Sequence, residues 1–443
     1  MTLHFYTFFT NLEFRKIAYS LIVKEKGAHR FRLKLNLESG RQSMKKRVFL
    51  VMVTVLLIAV IALSGAASAK TKLVLWSYME GKSQLETFDW ICGTFNKSQS
   101  DIEVSHVYVP FADFKKQLSI GMAAGKLPDL VVIDNPDHAA YAQMGLFADV
   151  TPYVSKWSKQ FFPGPWKSAT LNGKSYGIPF TSNCLALFYN IDMLKKAGVN
   201  PPTTWIELRA TAKKLSGNGV YGLGISAVKS EEGTFQFLPW LLSSGAKIDK
   251  LDSKQAINSF TVLSDLVKDG SMPKEVINWT QADVEKQFAA GKLAMMVNGP
   301  WNIPAVKSDA PDMKWSVVKI PKDKVYASVL GGENLGVVKG NNIKAACKFL
   351  EFAADPKIVK EYELRYNMFP PRQDVATDKA WTQDPIMQVF MDEMKYAMPR
   401  GPHPKWPEIS NAMSTALQEV LTGAKTPAQA GKDAQLKVAG VLK

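Results

Sequence analysis

Cysteine is nearly absent: the 443 residues contain three, Cys92, Cys184 and Cys347. None lies in a Cys-x-x-Cys or other metal-binding spacing. An odd count leaves at least one without a disulfide partner. Cys92 and Cys347 fall on apolar helical faces, where a thiol packs as a small hydrophobe, so burial is expected of all three. Histidine is scarce as well, with five in the chain. His106, His138 and His403 are far apart in sequence, and His4 and His29 fall in the leader region. No His-Glu-x-x-His and no phosphate-cradling Gly-x-x-x-x-Gly-Lys-Ser/Thr occurs. Without a His, Cys and carboxylate constellation at usable spacing, no metal and no organic cofactor is expected. Internal repeats and low-complexity tracts are also missing.

What is present is ordinary globular composition, 46% hydrophobic and 21% charged, with length for two domains. Met44-Lys45-Lys46-Arg47 is a short positive segment. Val48 to Leu63 is apolar apart from Thr54, and Ala67-Ser68-Ala69 follows. That order reads as a secretory signal peptide over 44–69; the apolar run is short for a membrane span, which needs about 20 residues. No Cys follows it, so a soluble periplasmic or secreted form is expected rather than a lipid-anchored one. Residues 1–43 read as a spurious or disordered upstream extension. The formal charge of +15 is concentrated there: residues 1–69 carry 11 of the 55 Lys+Arg and 3 of the 40 Asp+Glu, leaving +7 for the rest. Those remaining charges are interspersed. A nucleic-acid partner would need a clustered basic stripe, and none is seen.

From Lys72 the pattern alternates strand and helix. Lys72–Trp76 is a short apolar strand. Ser83–Phe95 places Leu85, Phe88, Ile91, Cys92 and Phe95 at helical spacing. Ile102–Val109 reads as a strand, 111–124 as a helix, and Leu127–Asp134 as a strand covered on both faces. This is a doubly wound α/β pattern. A second begins near Cys184, with strands at 185–189, 221–225 and 293–297. Thr204-x-x-Glu207 and Thr426-Pro427-Ala428-Gln429 have the form of helix-opening capping boxes.

In open α/β sheets ligands bind beyond the carboxyl ends of the strands. That rule selects Trp76, Tyr78 and Glu80 after the first strand, Asp134 and Asn135 after the third, Asn298 and Trp301 after 293–297, and Gly331 to Asn334 after a later apolar strand. Trp240, Arg372, Arg400 and Trp406 are further candidates. Each also has a structural reading: Trp76 and Trp240 as core, Asp134 as a turn or cap, Arg372 as a surface charge. Together these residue types suit a sugar. Tryptophan offers a flat amphipathic surface for the C–H face of a pyranose, and Asp, Glu, Asn and Arg satisfy its hydroxyl rim.

The chain resembles the extracellular solute-binding proteins of ABC sugar importers, of the maltose-binding and glycerol-phosphate-binding type. The marks are Leu75-Trp76 with Met79-Glu80-Gly81, Gly121 to Leu130, Asn172 to Pro179, Leu187 to Asn190, Pro202 to Trp205, Phe288 to Trp301, Gly331-Gly332-Glu333-Asn334 and Trp406 to Ile409. The resemblance covers essentially all of 70–443. It implies a two-lobed periplasmic-binding-protein fold, with lobe 1 at 70–181 plus 329–371 and lobe 2 at 182–328 plus 372–443. Crossings are expected near 181, 328 and 372. It implies a sugar or short oligosaccharide ligand, closure around it, a membrane permease as partner and a monomeric state. Carried by motif, the ligand-binding positions are Trp76, Glu80, Asp134, Trp301, Gly332 and Glu333, then Trp240, Arg372, Arg400 and Trp406. Two other functions stay open: a glycerol-3-phosphate or polyol-phosphate binder, and a carbohydrate-active enzyme built on Glu80, Asp134 and Glu333 as carboxylates.

Overall fold

The computed structural model describes residue 44, residues 47–54 and residues 70–442 other than 402. The chain divides into two units, 1–69 and 70–443. In the first, residues 47–54 are helical. The upstream extension 1–43 and the cleavage sequence 67–69 lie outside the described residues. Among the described residues no helix is long and apolar enough to cross a membrane.

The second unit begins with the expected alternation: β1 (Thr71–Ser77), α1 (Lys82–Ser98), β2 (Ile102–Tyr108), α2 (Phe111–Ala124), β3 (Leu130–Asp134) and α3 (Asn135–Gln143). The elements that then position the site are β4 (Gly177–Pro179), β5 (Ala186–Asn190), α4 (Trp205–Leu215), α5 (Glu231–Ser243), α6 (Lys254–Lys268), α7 (Gln281–Ala289), β6 (Met295–Asn298), α8 (Ile303–Asp309) and β7 (Trp315–Val318). After them come β8 (Ser328–Leu330), β9 (Glu333–Val337), α9 (Ile343–Ala353), α10 (Pro356–Tyr366), β10 (Ala397–Pro399), α11 (Trp406–Leu421) and α12 (Pro427–Val441).

The first sheet has the order β2-β1-β3-β9-β4. β1 is parallel to β2 and β3. Every residue of β3 is buried, as an apolar run flanked by strands and covered on both faces requires. β9 returns antiparallel to β3, with Glu333 directly opposite Asp134. Both carboxylates therefore sit at one edge of the sheet, where β1 and β3 end. The second sheet has the order β6-β5-β7, antiparallel throughout. Asn298 pairs with Ala186, so the end of β6 lies where the chain enters this sheet. Between the two sheets, isolated bridges join Ser182 to Phe369 and Asn183 to Gly331.

Local chemistry sets the element ends. Thr204 and Glu207 form a capping box on α4, Thr426 and Gln429 another on α12, and Ser253 caps α6. The expected strand at 221–225 is instead two single bridges, Tyr221 to Leu293 and Gly224 to Met296. Leu223 donates its N–H to Ser271 O and Gly224 to Met295 O. Successive donors thus serve different partners, and no ladder forms. All three cysteines are buried and free.

Candidate functional site

A cleft of about 830 Å³ opens between the two sheets, within the range of small-molecule sites. Six of the ten residues picked from sequence line it: Glu80, Asp134, Trp301, Gly332, Glu333 and Arg400. They arrive by separate routes. Glu80 follows β1, Asp134 ends β3 and Glu333 opens β9. Trp301 follows β6 through Gly299-Pro300. β10 runs parallel to β8, with Leu330 opposite Pro399, and so sets Arg400 beside the Gly331–Glu333 turn.

One wall is aromatic. Trp301 is half-buried and lies 6.2 Å from the Phe235 ring. A Cβ on Gly299 would fall 1.8 Å from the Trp301 indole, so only glycine lets the ring fold back over the turn. Tyr78 stands edge-on to Phe111 and Phe114, at 4.8 and 5.2 Å. Gly332 has φ +125°, and a Cβ there would lie 2.2 Å from Thr181 O. Its conformation belongs to glycine.

The floor is charged. Arg400 donates from Nη1 to Asp134 at 2.7 Å and from Nη2 to Asp134 at 2.6 Å. Nη1 also reaches Glu231 at 2.8 Å. Its guanidinium lies over the Phe235 ring at 4.5 Å. Burial works against the arginine's charge, but Asp134 and Glu231 outweigh it and hold its pKa up. Asp134 is raised in turn, by burial first, against the pull of Arg400. Tyr78 Oη donates to Glu333 at 3.0 Å, and Thr181 donates to it at 2.5 Å. Burial and the nearby Asp134 charge push Glu333 up to about 7. Glu232, at the start of α5, is pushed to about 7 by burial, against an N–H from Gln281 at 2.7 Å; the charge of Glu80 adds to the rise.

Four residues picked from sequence do not line the cleft. Trp76 lies partly buried against the apolar cluster of Phe114 and Val131, which Tyr78 also touches; Tyr78, one step past the end of β1, is the one that reaches the cleft. Trp240 is fully buried inside α5, 5.9 Å from Trp205. Its helix is covered almost all round, so a large ring there is core. Arg372 is neither a surface charge nor a cleft residue. It is buried, donating to Ala354 O at 2.7 Å and to Asp374 at 3.0 and 2.7 Å. Trp406 is buried behind the floor, where Nε1 donates to both Glu231 oxygens at 3.1 and 3.0 Å.

Sequence reasoning did not select Glu231, Glu232, Phe235, Asn183 or Gln281, all of which line the cleft. Glu231 and Glu232 read as ordinary first-turn acids of a helix. The available signal was that α5 opens after the 221–226 segment, at the ligand edge of the second sheet. The chain also contains Gly173-Lys174-Ser175-Tyr176-Gly177, a Gly-x-Ser-x-Gly run. It spans the antiparallel pair Thr170–Leu171 and Lys174–Ser175, not the strand-to-helix elbow that exposes a nucleophilic serine.

The buried acids set a pH dependence for the unliganded protein. Burial holds Glu232, Glu333 and Asp137 at about 7 and Glu393 at about 8. A raised carboxyl keeps its proton in the fold after the unfolded chain has released it near pH 4, so stability falls as pH climbs through 5 to 8. His106 and His138 oppose this, because burial lowers them to about 4 and about 3. Their contribution is complete above pH 6.5 and fades as pH falls below it. Four carboxyls outweigh two imidazoles. The melting temperature is therefore expected to be higher at pH 5 than at pH 8. A melting curve that rises between those values would contradict the burial of this set.

Two α/β lobes, bridged crossings between them and an aromatic, carboxylate-lined cleft define a two-lobed binding protein. The family profile described as bacterial extracellular solute-binding protein matches residues 90–389, and the chain belongs to that family. The solved structure of an ABC transporter solute-binding protein from Thermotoga lettingae, bound with α-D-tagatose, superposes with a TM-score of 0.79 at 29% identity, covering 84% of this chain and all of that one. Maltose-bound MalE3 of T. maritima gives 0.77 at 26%, covering 84% of this chain and 99% of its own. The maltotriose-binding protein of Pyrococcus abyssi is 26% identical over 384 residues, 83% of this chain and 80% of its own.

Proposed function

We propose that this chain captures a neutral sugar or short oligosaccharide outside the inner membrane and delivers it to the permease of an ABC importer. One observation carries the reading: the Trp301–Phe235 wall faces a rim of carboxylates and amides across a single cleft. Trp301 stacks on the sugar's C–H face. Glu80, Glu333 and Asn183 accept hydrogen bonds from its hydroxyls. Asp134 acts one step back, because Arg400 already holds both of its oxygens. The tagatose, maltose and maltotriose bound by the relatives are of the class this cleft suits. A polyol phosphate would want a cation built into the floor; Arg400 is already held there by two carboxylates, and the other cations lining the cleft, Lys82 and Lys286, are solvent-exposed. A carbohydrate-active enzyme finds no support beyond the presence of carboxylates.

The same reading assigns residues 70–181 with 329–371 to one lobe and 182–328 with 372–443 to the other. The bridged segments at 182–183, 331 and 369 then form the hinge. A ligand that touches Glu80 and Glu333 from one lobe and Trp301 from the other favours the closed state, because only that state offers every contact. The chain works as a monomer, exported by a leader cut after Ala69. N-terminal sequencing of exported protein should begin at Lys70; a mature form retaining 48–63 would refute soluble export.

The test is a thermal-shift panel of mono- and disaccharides. A ligand at about 100 times its Kd adds roughly 2.7 kcal/mol of stability. The sugar that raises the melting point should also reduce the radius of gyration in X-ray scattering. A panel with no stabilising sugar would end the sugar reading, and a saturating sugar that leaves the scattering curve unchanged would end the closure mechanism.

A further inference from the structure

Arg400 sits at the deep end of the cleft, only 5% exposed. Two carboxylates from different elements face it: Asp134 at the end of β3 and Glu231 at the start of α5. Asn135 Oδ1 adds a longer contact at 3.3 Å. Of its nitrogens only Nε has no partner. Trp406 Nε1 bonds both oxygens of Glu231 and so fixes that carboxylate against the arginine. Phe235 covers the guanidinium face at 4.5 Å. The group of three has a formal charge of −1 in a buried setting. Around it, seven further acidic side chains and two further basic ones, Lys82 and Lys286, line the cleft.

We infer that Glu231 is a specificity-determining residue that makes this cleft refuse anionic solutes, such as phosphorylated sugars and uronates, while admitting neutral ones. This rests on the reading of the cleft as the solute site. With Asp134 alone, Arg400 would form a neutral pair with one edge turned toward the ligand. That is the arrangement a phosphate or carboxylate can enter. Glu231 takes the donor of Nη1 that Asp134 leaves open, while Nη2 reaches Asn135 and Nε stays unpaired in the buried setting. An anion would then have to displace a carboxylate that is buried and held by Trp406, and would meet excess negative charge while doing so. Discrimination here comes from a repulsive element as well as from attraction to the favoured ligand.

Inorganic phosphate is the decisive probe, because its binding does not depend on which sugar is cognate. Glu231→Gln keeps the size of the side chain and an acceptor for Trp406 while removing the charge. Titration of phosphate into the purified protein should show no binding for the wild type and, for the variant, a Kd at least about tenfold below the detection limit set by the wild type, a change of at least roughly 1.4 kcal/mol. Digalacturonate should gain over maltose by a similar factor. Asp134→Asn removes the other carboxylate and should shift phosphate binding in the same direction. It serves if Glu231→Gln fails to fold, which a melting curve of each variant shows first. The inference falls if the wild type binds phosphate, or if the folded variants bind it no better. The sugar reading is judged separately: a wild type stabilised by maltose or mannobiose keeps it whatever phosphate does, and a wild type stabilised by neither loses it while the phosphate comparison still decides the role of Glu231.

Discussion

Arg400→Met is expected to destabilise the protein by about 3–5 kcal/mol, the usual penalty for removing one partner from a buried ion pair. Arg400 lies between Asp134 and Glu231, whose side chains are 9% and 2% exposed. Methionine fills much of the volume but leaves two carboxylates close together without a cation. They must then stay charged in a low-dielectric setting or take up protons. The deficit should therefore be larger at pH 8 than at pH 5, since protonation relieves the strain of unpaired charge. Arg372→Met is the instructive comparison. Arg372 is equally buried, but its partner Asp374 is half in solvent, at 50%. Removing that arginine leaves an acid that water can hydrate, so the pH-dependent part of the loss should be small. Denaturant unfolding of both variants at the two pH values measures this. If Arg400→Met costs under about 1 kcal/mol with no pH dependence, the buried triad is not a structural unit.

What could be read from sequence was local. The continuous Leu130–Asp134 run, the capping boxes at Thr204 and Thr426, and the burial of the cysteines each depend on neighbours a few residues away. The position of a strand end was also readable, and it led to Glu80, Trp301 and Glu333. What was lost depended on register or on distant partners. Trp76 and Tyr78 lie two apart near the end of β1, and only the packing of the sheet shows which of them lines the cleft. Arg400 was selected and lines the cleft, but its partners lie 266 and 169 residues away. No local pattern pairs those positions. Glu231 was missed for the same reason: its meaning comes from Arg400 and Trp406, both near the other end of the chain. Trp240 was the avoidable error. The run Phe-Gln-Phe-Leu-Pro-Trp-Leu-Leu is apolar on nearly every side, and a helix of that kind is buried.

Trp301 and Trp240 allow the site to be separated from the core in one experiment. Both were ligand-binding candidates from sequence. Trp301 is half-buried with its ring folded over Gly299 and one face toward the cleft. Trp240 is fully enclosed against Trp205. Trp301→Ala removes a stacking surface, so the stabilising sugar should bind more weakly by about 1–3 kcal/mol, roughly tenfold to a hundredfold in Kd. Its melting point should fall less, because part of that ring is wet in the unliganded protein. Trp240→Phe should do the reverse. It opens space in a packed core and should lower stability by about 1–3 kcal/mol, with the affinity of the folded protein unchanged. Titration and thermal melting on both variants give four numbers, and the expected pattern is crossed. If Trp301→Ala keeps its affinity while its melting point drops, the ring belongs to the core. If Trp240→Phe weakens binding as much as Trp301→Ala does, the core behind the cleft is too pliable to present a preformed aromatic wall, and recognition would then have to rest on the polar rim alone.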